Sequence, residues 1–506
     1  MKYLSIALVI TTSASAQLLR SYRVDGSSLP SSNAIFDIHR KTDTLWFGTN
    51  KGLDRTLDYG LSWTQFRNTQ SFDDKGISAI GQFGSLLAVA TAYSFSREGE
   101  AITAGGGIHV STDHGTTWRH VPQPRDVGSV DTILYGNNRI RSLAITTEAN
   151  NVTYDIAITP SAVWIASFAG MLRKSTDRGL TWQKVVLPPD ELQSIRPEDT
   201  LNFDLSPVSG GIGLRGNLNH RVFSVFAQND SIIYVGTAGG INKTTDRGRS
   251  WTKFTTKTQP SGLSGNFVVA LREQVLPTSR VLWASTVNAE DPAETRGVSF
   301  TDDGGVTWKT TLRGQFAHNF AFKDSVVYVA TDEGVFRSSN FGQSWQRSGT
   351  IYDISSLQRF VSTQIFAVEV VGDTLWVGGP EGIATTIDSP ASPFGSTWRI
   401  FRTYRPVGVS SATYAYPTPF SPDDEPVRIH FSTEGRDATV TIRIFDFGMK
   451  PVRVLLRSAQ RSGQREHDEI WDGRDDDGNR VANGLYFYRI ELDGKEPRWG
   501  KIHVLQ

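Results

Sequence analysis

One octapeptide, Ser/Thr-x-Asp-x-Gly-x-Ser/Thr-Trp, recurs along this 506-residue chain and constrains its fold more than any other feature. Complete copies stand at Thr56–Trp63, Ser111–Trp118, Ser175–Trp182, Thr244–Trp251 and Thr301–Trp308. Ser338–Trp345 is a sixth, with Asn340 in place of the aspartate. A seventh is split: Thr386-Ile387-Asp388, an insertion, then Gly395-Ser396-Thr397-Trp398. Upstream of the octapeptides, short apolar strands carry an aromatic in one register: Trp46, Trp164, Tyr234, Trp283, Tyr328 and Trp376, with Ala88 in the second unit. The interval to the Asp or Asn is twelve residues in four units, thirteen in a fifth, and longer in the second and fifth units along the chain. These two registers hold eleven of the 13 tryptophans, so the repeat is the organising unit.

Each unit reads as strand A, strand B with the aromatic, strand C ending at the octapeptide, and strand D beginning near its Trp. A four-stranded unit of this length is a propeller blade. One blade cannot bury both of its faces, so seven in a closed ring are expected over roughly residues 22–404. The octapeptide explains its own composition. Its carboxylate accepts N–H groups of its own turn, Gly at the fifth position supplies φ > 0, and the hydroxyls bond locally. The Trp brings a large apolar area to the blade.

This pattern resembles the Asp-box, or BNR repeat, over about three quarters of the chain. The family includes sialidases, xyloglucan-active glycoside hydrolases, sortilin-type receptors and a photosystem assembly factor. What the resemblance implies is the blade, not one activity. It assigns a structural role to Asp58, Asp113, Asp177, Asp246, Asp303, Asn340 and Asp388, and to Trp63, Trp118, Trp182, Trp251, Trp308, Trp345 and Trp398.

Strand parity locates a binding face. A–B and C–D turns leave one face of an antiparallel blade, B–C and D–A connections the other. The long insertions Ala92–Gly106 and Ser285–Arg296 (B–C) and Val121–Asn151 and Leu187–His220 (D–A) therefore emerge opposite the octapeptides. Long loops on one rim of a rigid scaffold are where binding concentrates. The candidate ligand-binding residues are Tyr93, Phe95, Arg97, Arg196, Phe203, Arg215 and His220, with Asp291 and Glu294 in the other B–C loop.

Composition narrows the partners. Fifty-two basic residues balance 52 acidic ones, which gives no electrostatic ground for nucleic acid. There is no cysteine, hence no disulfide, thiolate nucleophile or cysteine metal site. Lys2, the apolar run Leu4–Ile10 and Ala14-Ser15-Ala16 read as a signal peptide over residues 1–16. No later stretch reaches eighteen apolar residues, so no transmembrane segment is expected. No H-E-x-x-H, G-x-S-x-G or phosphate-binding glycine loop occurs, and the nine histidines lack metal-ligand spacing. No catalytic residue, metal or cofactor is assigned.

A sialidase would need an arginine cluster, a Tyr–Glu pair and an acid. The family's early Arg-Ile-Pro motif is absent from Ser21-Tyr22-Arg23-Val24-Asp25, and sialidases usually have six blades. Xyloglucan-type hydrolases use two carboxylates between two propellers, and only one propeller is expected here. The preferred reading is therefore a binding protein for a glycan or a surface protein. A glycoside hydrolase and an extracytoplasmic assembly factor are the alternatives.

Beyond residues 17–404 the composition changes. Residues 405–415 suit a linker. Alternating strands then follow at Val427–Phe431, Ala438–Phe445, Val452–Arg457, Arg465–Trp471, Gly484–Leu492 and Gly500–Leu505, as in an immunoglobulin-like sandwich over residues 416–506. Trp471–Arg489 resembles the Ig-like domain of the flagellar hook-capping family, an architecture shared by the sorting domain of type IX secretion cargo. That domain opens with Tyr-Pro-Asn-Pro-Phe, matched by Tyr416-Pro417-Thr418-Pro419-Phe420, and closes with a Lys-bearing strand, here Lys501 to Leu505. The resemblance implies secretion machinery as a partner and a secreted or outer-surface location. Asp475–Asp477 lacks the spacing of a calcium loop and reads as a polar turn.

Overall fold

The computed structural model describes residues 25–505 apart from 28, 67–71, 74, 98–99, 127–129, 144, 209–215, 259–261, 356–357, 403–412, 417, 423–425 and 464–466. Met1–Ala16, read as a signal peptide, and Arg215 lie outside the described residues. The chain divides into two units, Met1–Thr403 and Tyr404–Gln506, and both are all-β; the described helical structure is one 3-10 turn, Leu218–His220. Among the described residues no helix is long and apolar enough to cross a membrane.

The first unit is a seven-bladed β-propeller. Its innermost strands are Ile35–Lys41, Gly76–Phe83, Thr153–Ile158, Val222–Ala227, Phe267–Val275, Ala317–Lys323 and Ala367–Val371. Each begins a four-stranded antiparallel blade taken in chain order, and each packs against the next, the seventh returning to the first. Among the described residues the ring closes without a shared blade. The last blade takes all four strands from residues 367–401, whereas the early strand Asp25–Ser27 adds to the outer edge of the first, pairing with Trp63–Gln65. Closure rests instead on apolar burial: Ile35, Ile38, Phe47 and Trp63 pack on Trp376, Ile383 and Phe401.

The octapeptide turn holds itself as its residue types require. At the third copy, Asp177 Oδ1 accepts from the Ser175 hydroxyl at 2.7 Å and from the N–H groups of Leu180 (3.0 Å) and Thr181 (2.9 Å). Its Oδ2 accepts from the Thr181 hydroxyl at 2.5 Å, and Ser175 Oγ accepts from Gly179 N–H at 2.8 Å. Asn340 reproduces the pattern, its Nδ2 donating to Ser344 Oγ at 2.8 Å. The turn contains two consecutive left-handed residues rather than the one expected. Arg178 (φ 58°) precedes Gly179 (φ 80°), and Tyr59, His114, Arg247 and Phe341 occupy the same position with φ of 54–66°. The multiple bonds to the carboxylate offset the cost of a side chain in that region.

Adjacent blades are stitched at these turns. Lys174 lies over Trp164 at 4.7 Å and donates to the carbonyl of Arg247 in the next blade at 3.0 Å. Lys243 lies over Tyr234 at 5.4 Å and donates to Gly304 O at 2.7 Å. Asp388 departs from its assigned place. Its carboxylate accepts from the Tyr328 hydroxyl and from Arg337 Nε, so in the split seventh copy it ties two blades instead of bracing its own turn. Six residues, where the repeat has one, stand between it and Gly395 and separate it from Ser396 and Thr397, the turn residues it would otherwise hold.

Three of the long insertions are not free loops. The described residues of Ala92–Gly106 are strand: Leu86–Arg97 and Glu100–Ser111 form an extended hairpin. Val121–Asn151 and Leu187–His220 supply a three-stranded sheet (Val130–Tyr135, Asn138–Leu143, Asp204–Leu205) and an outer strand, Ser194–Ile195, added to the fourth blade. They bury Tyr135, Ile140, Ile195 and Leu205 against Trp164 and Trp251 on the outside of the ring. Tyr135 Oη donates to Arg249 O, in the fourth octapeptide, at 2.6 Å. Parity places where these segments leave the blade, but apolar residues within them draw them down the rim.

The second unit is a two-sheet sandwich. One sheet holds Thr413–Tyr416, Val427–Phe431 and His467–Trp471; the other holds Ala438–Phe445, Pro451–Arg461, Gly484–Leu492 and Arg498–Val504. Thr413–Tyr416 is thus a strand where the composition suits a linker, and it pairs with Arg428–Phe431. Alternating residues of the sheets bury Ile429, Phe431, Ile442, Trp471 and Tyr488 between them. Asp475 forms a turn, its Oδ1 accepting from Asn479 N–H at 2.8 Å, and Asp476 Oδ1 accepts from Val454 N–H at 3.1 Å.

Candidate functional site

The site emerges from one register of the innermost strands. Six of the seven carry a bulge after the first or second residue, where an extra residue escapes the ladder. The residues at this position, the seventh strand aligned by its own pairing, are Phe36, Ser78, Tyr154, Phe223, Val269, His318 and Phe366. They stand at the start of their strands, hence at the channel mouth opposite the octapeptides. Phe36 and Tyr154 are 43% and 39% exposed, large values for rings with no structural need of solvent.

The rings form two arcs around the mouth. Phe36 meets Phe366 at 5.9 Å, Phe366 meets His318 at 5.3 Å edge-on, and His318 meets Phe316 at 4.8 Å. In the other arc Phe223 contacts Tyr154 at 5.3 Å, Phe267 at 4.4 Å and Phe168 at 6.1 Å, and Arg221 lies over Phe168. His318 Nε2 is 2.8 Å from Asp332 Oδ1, which orients the ring. Such a collar offers apolar faces to a ligand without filling them.

Below the collar lie charges drawn from four blades. Arg272 of the fifth blade reaches Asp155 Oδ2 of the third at 3.5 Å. Asp155 Oδ2 also accepts from Val225 N–H at 3.0 Å, and Asp37 Oδ2 accepts from Ile80 N–H at 3.1 Å, so each carboxylate clamps the next blade. Burial raises Asp37 to about 6 against the pull of Arg272, and Glu369 of the seventh blade to about 7; Asp155 is raised for the same reason. Burial lowers His39 to about 4, keeping it neutral. Desolvation works against the charge on Arg272, but Asp155, Asp37 and Glu369 outweigh it. Asp37, Asp155 and Glu369 all lie in the field of Arg272, and Arg40 also acts on Glu369, but desolvation outweighs these cations and raises all three carboxylates. Among the described residues no three His, Asp or Glu side chains converge so as to hold a metal ion.

The residues expected to bind do not form one site. Tyr93, Phe95 and Arg97 lie on the second-blade hairpin. Tyr93 is half-buried, with Lys75 over its ring at 5.7 Å and its hydroxyl donating to Glu148 at 3.4 Å. Arg196 is exposed on the rim insertion, its N–H donating to Asp199 Oδ2. Phe203 and His220 are engaged within the fold. Phe203 packs on the core between the third and fourth blades. His220 is buried, accepts from Ser206 N–H at 3.1 Å through Nδ1 and donates to Leu187 O at 3.1 Å through Nε2. Burial lowers it to about 4, so it is neutral. Glu294 is buried and accepts from Asn266 and Ala289 N–H groups, while Asp291 pairs with Lys257 at 2.7 Å. The collar was legible in principle: each inner strand has a residue two before a buried apolar one, as in Phe36–Ile38, Tyr154–Ile156, Phe223–Val225 and Phe366–Val368.

No family model matches this chain. The xyloglucanase Xgh74A of Acetivibrio thermocellus is 22% identical over 328 residues, 56% of this chain and 36% of that enzyme. The chain thus spans about a third of the length of the curated relative it matches. Among solved structures, a GH74 enzyme of Niastella koreensis superposes with a TM-score of 0.48 at 14% identity, over 96% of this chain and 74% of that one. YCF48 bound to a D1 peptide superposes with a TM-score of 0.43 at 14% identity, over 74% of this chain and 99% of that one. Likeness at this level assigns no family, and the blades themselves carry the conclusion that this chain is a β-propeller followed by a β-sandwich.

Proposed function

We propose that this protein is a secreted or surface-attached glycan-binding propeller whose ligand seats on the aromatic collar opposite the octapeptide turns. The observation that carries the reading is the partly exposed ring set Phe36, Tyr154, Phe223 and Phe366 around one channel mouth. Aromatic faces pack on the C–H faces of sugar rings, and the polar groups below offer partners for hydroxyls. Residues 1–16 act as the export signal, and residues 416–506 as the sorting domain of type IX cargo, on the resemblance of Tyr416–Phe420 and Trp471–Arg489. The octapeptides belong to the Asp-box type in this reading. The sequence relationship to a xyloglucanase makes plant-type β-glucans the first ligands to try.

A hydrolase is the second reading, favoured by the carboxylates Asp37 and Glu369, both held near neutrality in one channel. The experiment is a panel of xyloglucan, other β-glucans and sialosides against the full mature chain, reading bound protein and released sugar together. Binding without release, lost in Tyr154→Ala and Phe366→Ala variants that remain folded, is expected. Release abolished by Glu369→Gln would replace binding by hydrolysis. Neither binding nor release would move the ligand class to protein.

A further inference from the structure

We propose that the collar is a blind socket that takes the end of a glycan chain, not an internal stretch; this rests on the glycan-binding reading above.

Three features support it. First, the rings surround a mouth rather than line a groove. Phe36, Phe366 and His318 come from the first, seventh and sixth blades, and Tyr154 and Phe223 from the third and fourth. Second, the channel has a floor. Arg272 stands three residues beyond the bulged position Val269, at the same strand position as His39 and Glu369, and extends from the fifth blade to Asp155 of the third at 3.5 Å. With Asp37 and Glu369 in its field, that side chain is a charged bar across the passage. A polymer threading the ring would have to break an ion pair that brings two blades together.

Third, one lateral exit is walled. At the second blade the collar position is Ser78, which brings no ring. Beyond it the hairpin of Leu86–Arg97 and Glu100–Ser111 stands on the same face. It is braced by an antiparallel bridge of Ala104 to Ala149 and by Asn150 N–H donating to Thr103 O at 2.8 Å. The Tyr93 hydroxyl donating to Glu148 at 3.4 Å ties the same two segments, and Arg125, within the insertion, holds that carboxylate at 2.9 Å. A chain laid across the mouth meets this wall. A chain end meets only the rings and then the floor, where carboxylate and guanidinium groups match the hydroxyls of a terminal residue.

The test uses the full mature chain and needs no variant. Each polysaccharide in the panel, xyloglucan first, is offered intact and after partial endo-cleavage that multiplies its chain ends about tenfold at constant mass. Binding capacity per gram is measured by calorimetry, with released sugar monitored. End recognition predicts capacity rising in proportion to the ends, about tenfold. Capacity per gram unchanged by cleavage overturns the socket and leaves glycan binding standing. No binding to any polysaccharide, cut or uncut, overturns glycan binding and the socket with it.

Discussion

Arg272, on the innermost strand of the fifth blade, lies 3.5 Å from Asp155 on the innermost strand of the third. Asp155 in turn accepts from Val225 N–H in the fourth. Three blades that share no β-ladder are thereby held at one point inside the ring.

Removing the guanidinium leaves Asp37, Asp155 and Glu369 without their common cation. Arg272→Met is expected to lower stability by about 1–3 kcal/mol, less than for a fully buried pair because the side chain is partly solvated. Asp155→Asn in that background should recover part of the loss. Urea unfolding of the two variants and the parent checks both; additive losses would show that the residues are not coupled.

Glu369 sets a pH dependence of defined sign. Its native value of about 7 stands above the ordinary 4.5, so the folded state binds more protons than the unfolded state between those values. Stability from this group is fully present below about pH 4.5 and is lost as pH rises through 7. Glu369→Gln should therefore be more stable than the parent at pH 8, by about 1–2 kcal/mol, and indistinguishable at pH 4.5. His39 and His220, lowered to about 4, act oppositely between 6.5 and 4, so the difference between variant and parent melting curves is the quantity to read.

The octapeptide aspartates contribute at the acid end. Asp177 and Asp303 are lowered to about 2, Asp177 by hydrogen bonds from Thr181 and Asp303 by those of its turn against burial. Their contribution is present above the ordinary value of 3.8 and is lost as pH falls toward 2. Asp177→Ala should cost about 1–2 kcal/mol at pH 7, as for other multiply bonded turn caps. Asn340→Asp should be near neutral, because Asn340 already serves the same donors. Thermal melts at pH 7 and pH 3 separate the two.

His220 and Phe223 lie close in sequence and should part company in function. His220→Ala leaves Ser206 N–H and Leu187 O without partners and should lower stability by about 2–3 kcal/mol, with glycan retention unchanged in the protein that stays folded. Phe223→Ala should change stability less and reduce retention about tenfold, the loss of one stacking face. Affinity electrophoresis beside a thermal melt distinguishes them.

Much of this architecture is written in short-range pattern. The turn octapeptide needs only residues within eight positions of one another, so Asp177, Gly179 and Thr181 announce it wherever they occur together. The aromatic of strand B, such as Trp164, marks blade spacing because every blade buries the same face. The sandwich strands Val427–Phe431, Ala438–Phe445 and Gly484–Leu492 match their alternating pattern because one face of each is buried. The second left-handed residue at Arg178 was not legible, since no residue type marks it and the carboxylate bonds alone sustain it.

What the chain's pattern determined, then, is the number and register of blades, since each blade is a local hairpin meander. Only the tertiary structure decided the site. Phe36, Tyr154, Phe223 and Phe366, or Asp155 and Arg272, stand tens to hundreds of residues apart and meet because closing the ring brings every innermost strand to one axis. Tertiary packing likewise drew Tyr135 and Phe203 onto the rim, where burying their apolar surface outweighs the solvation a loop would keep.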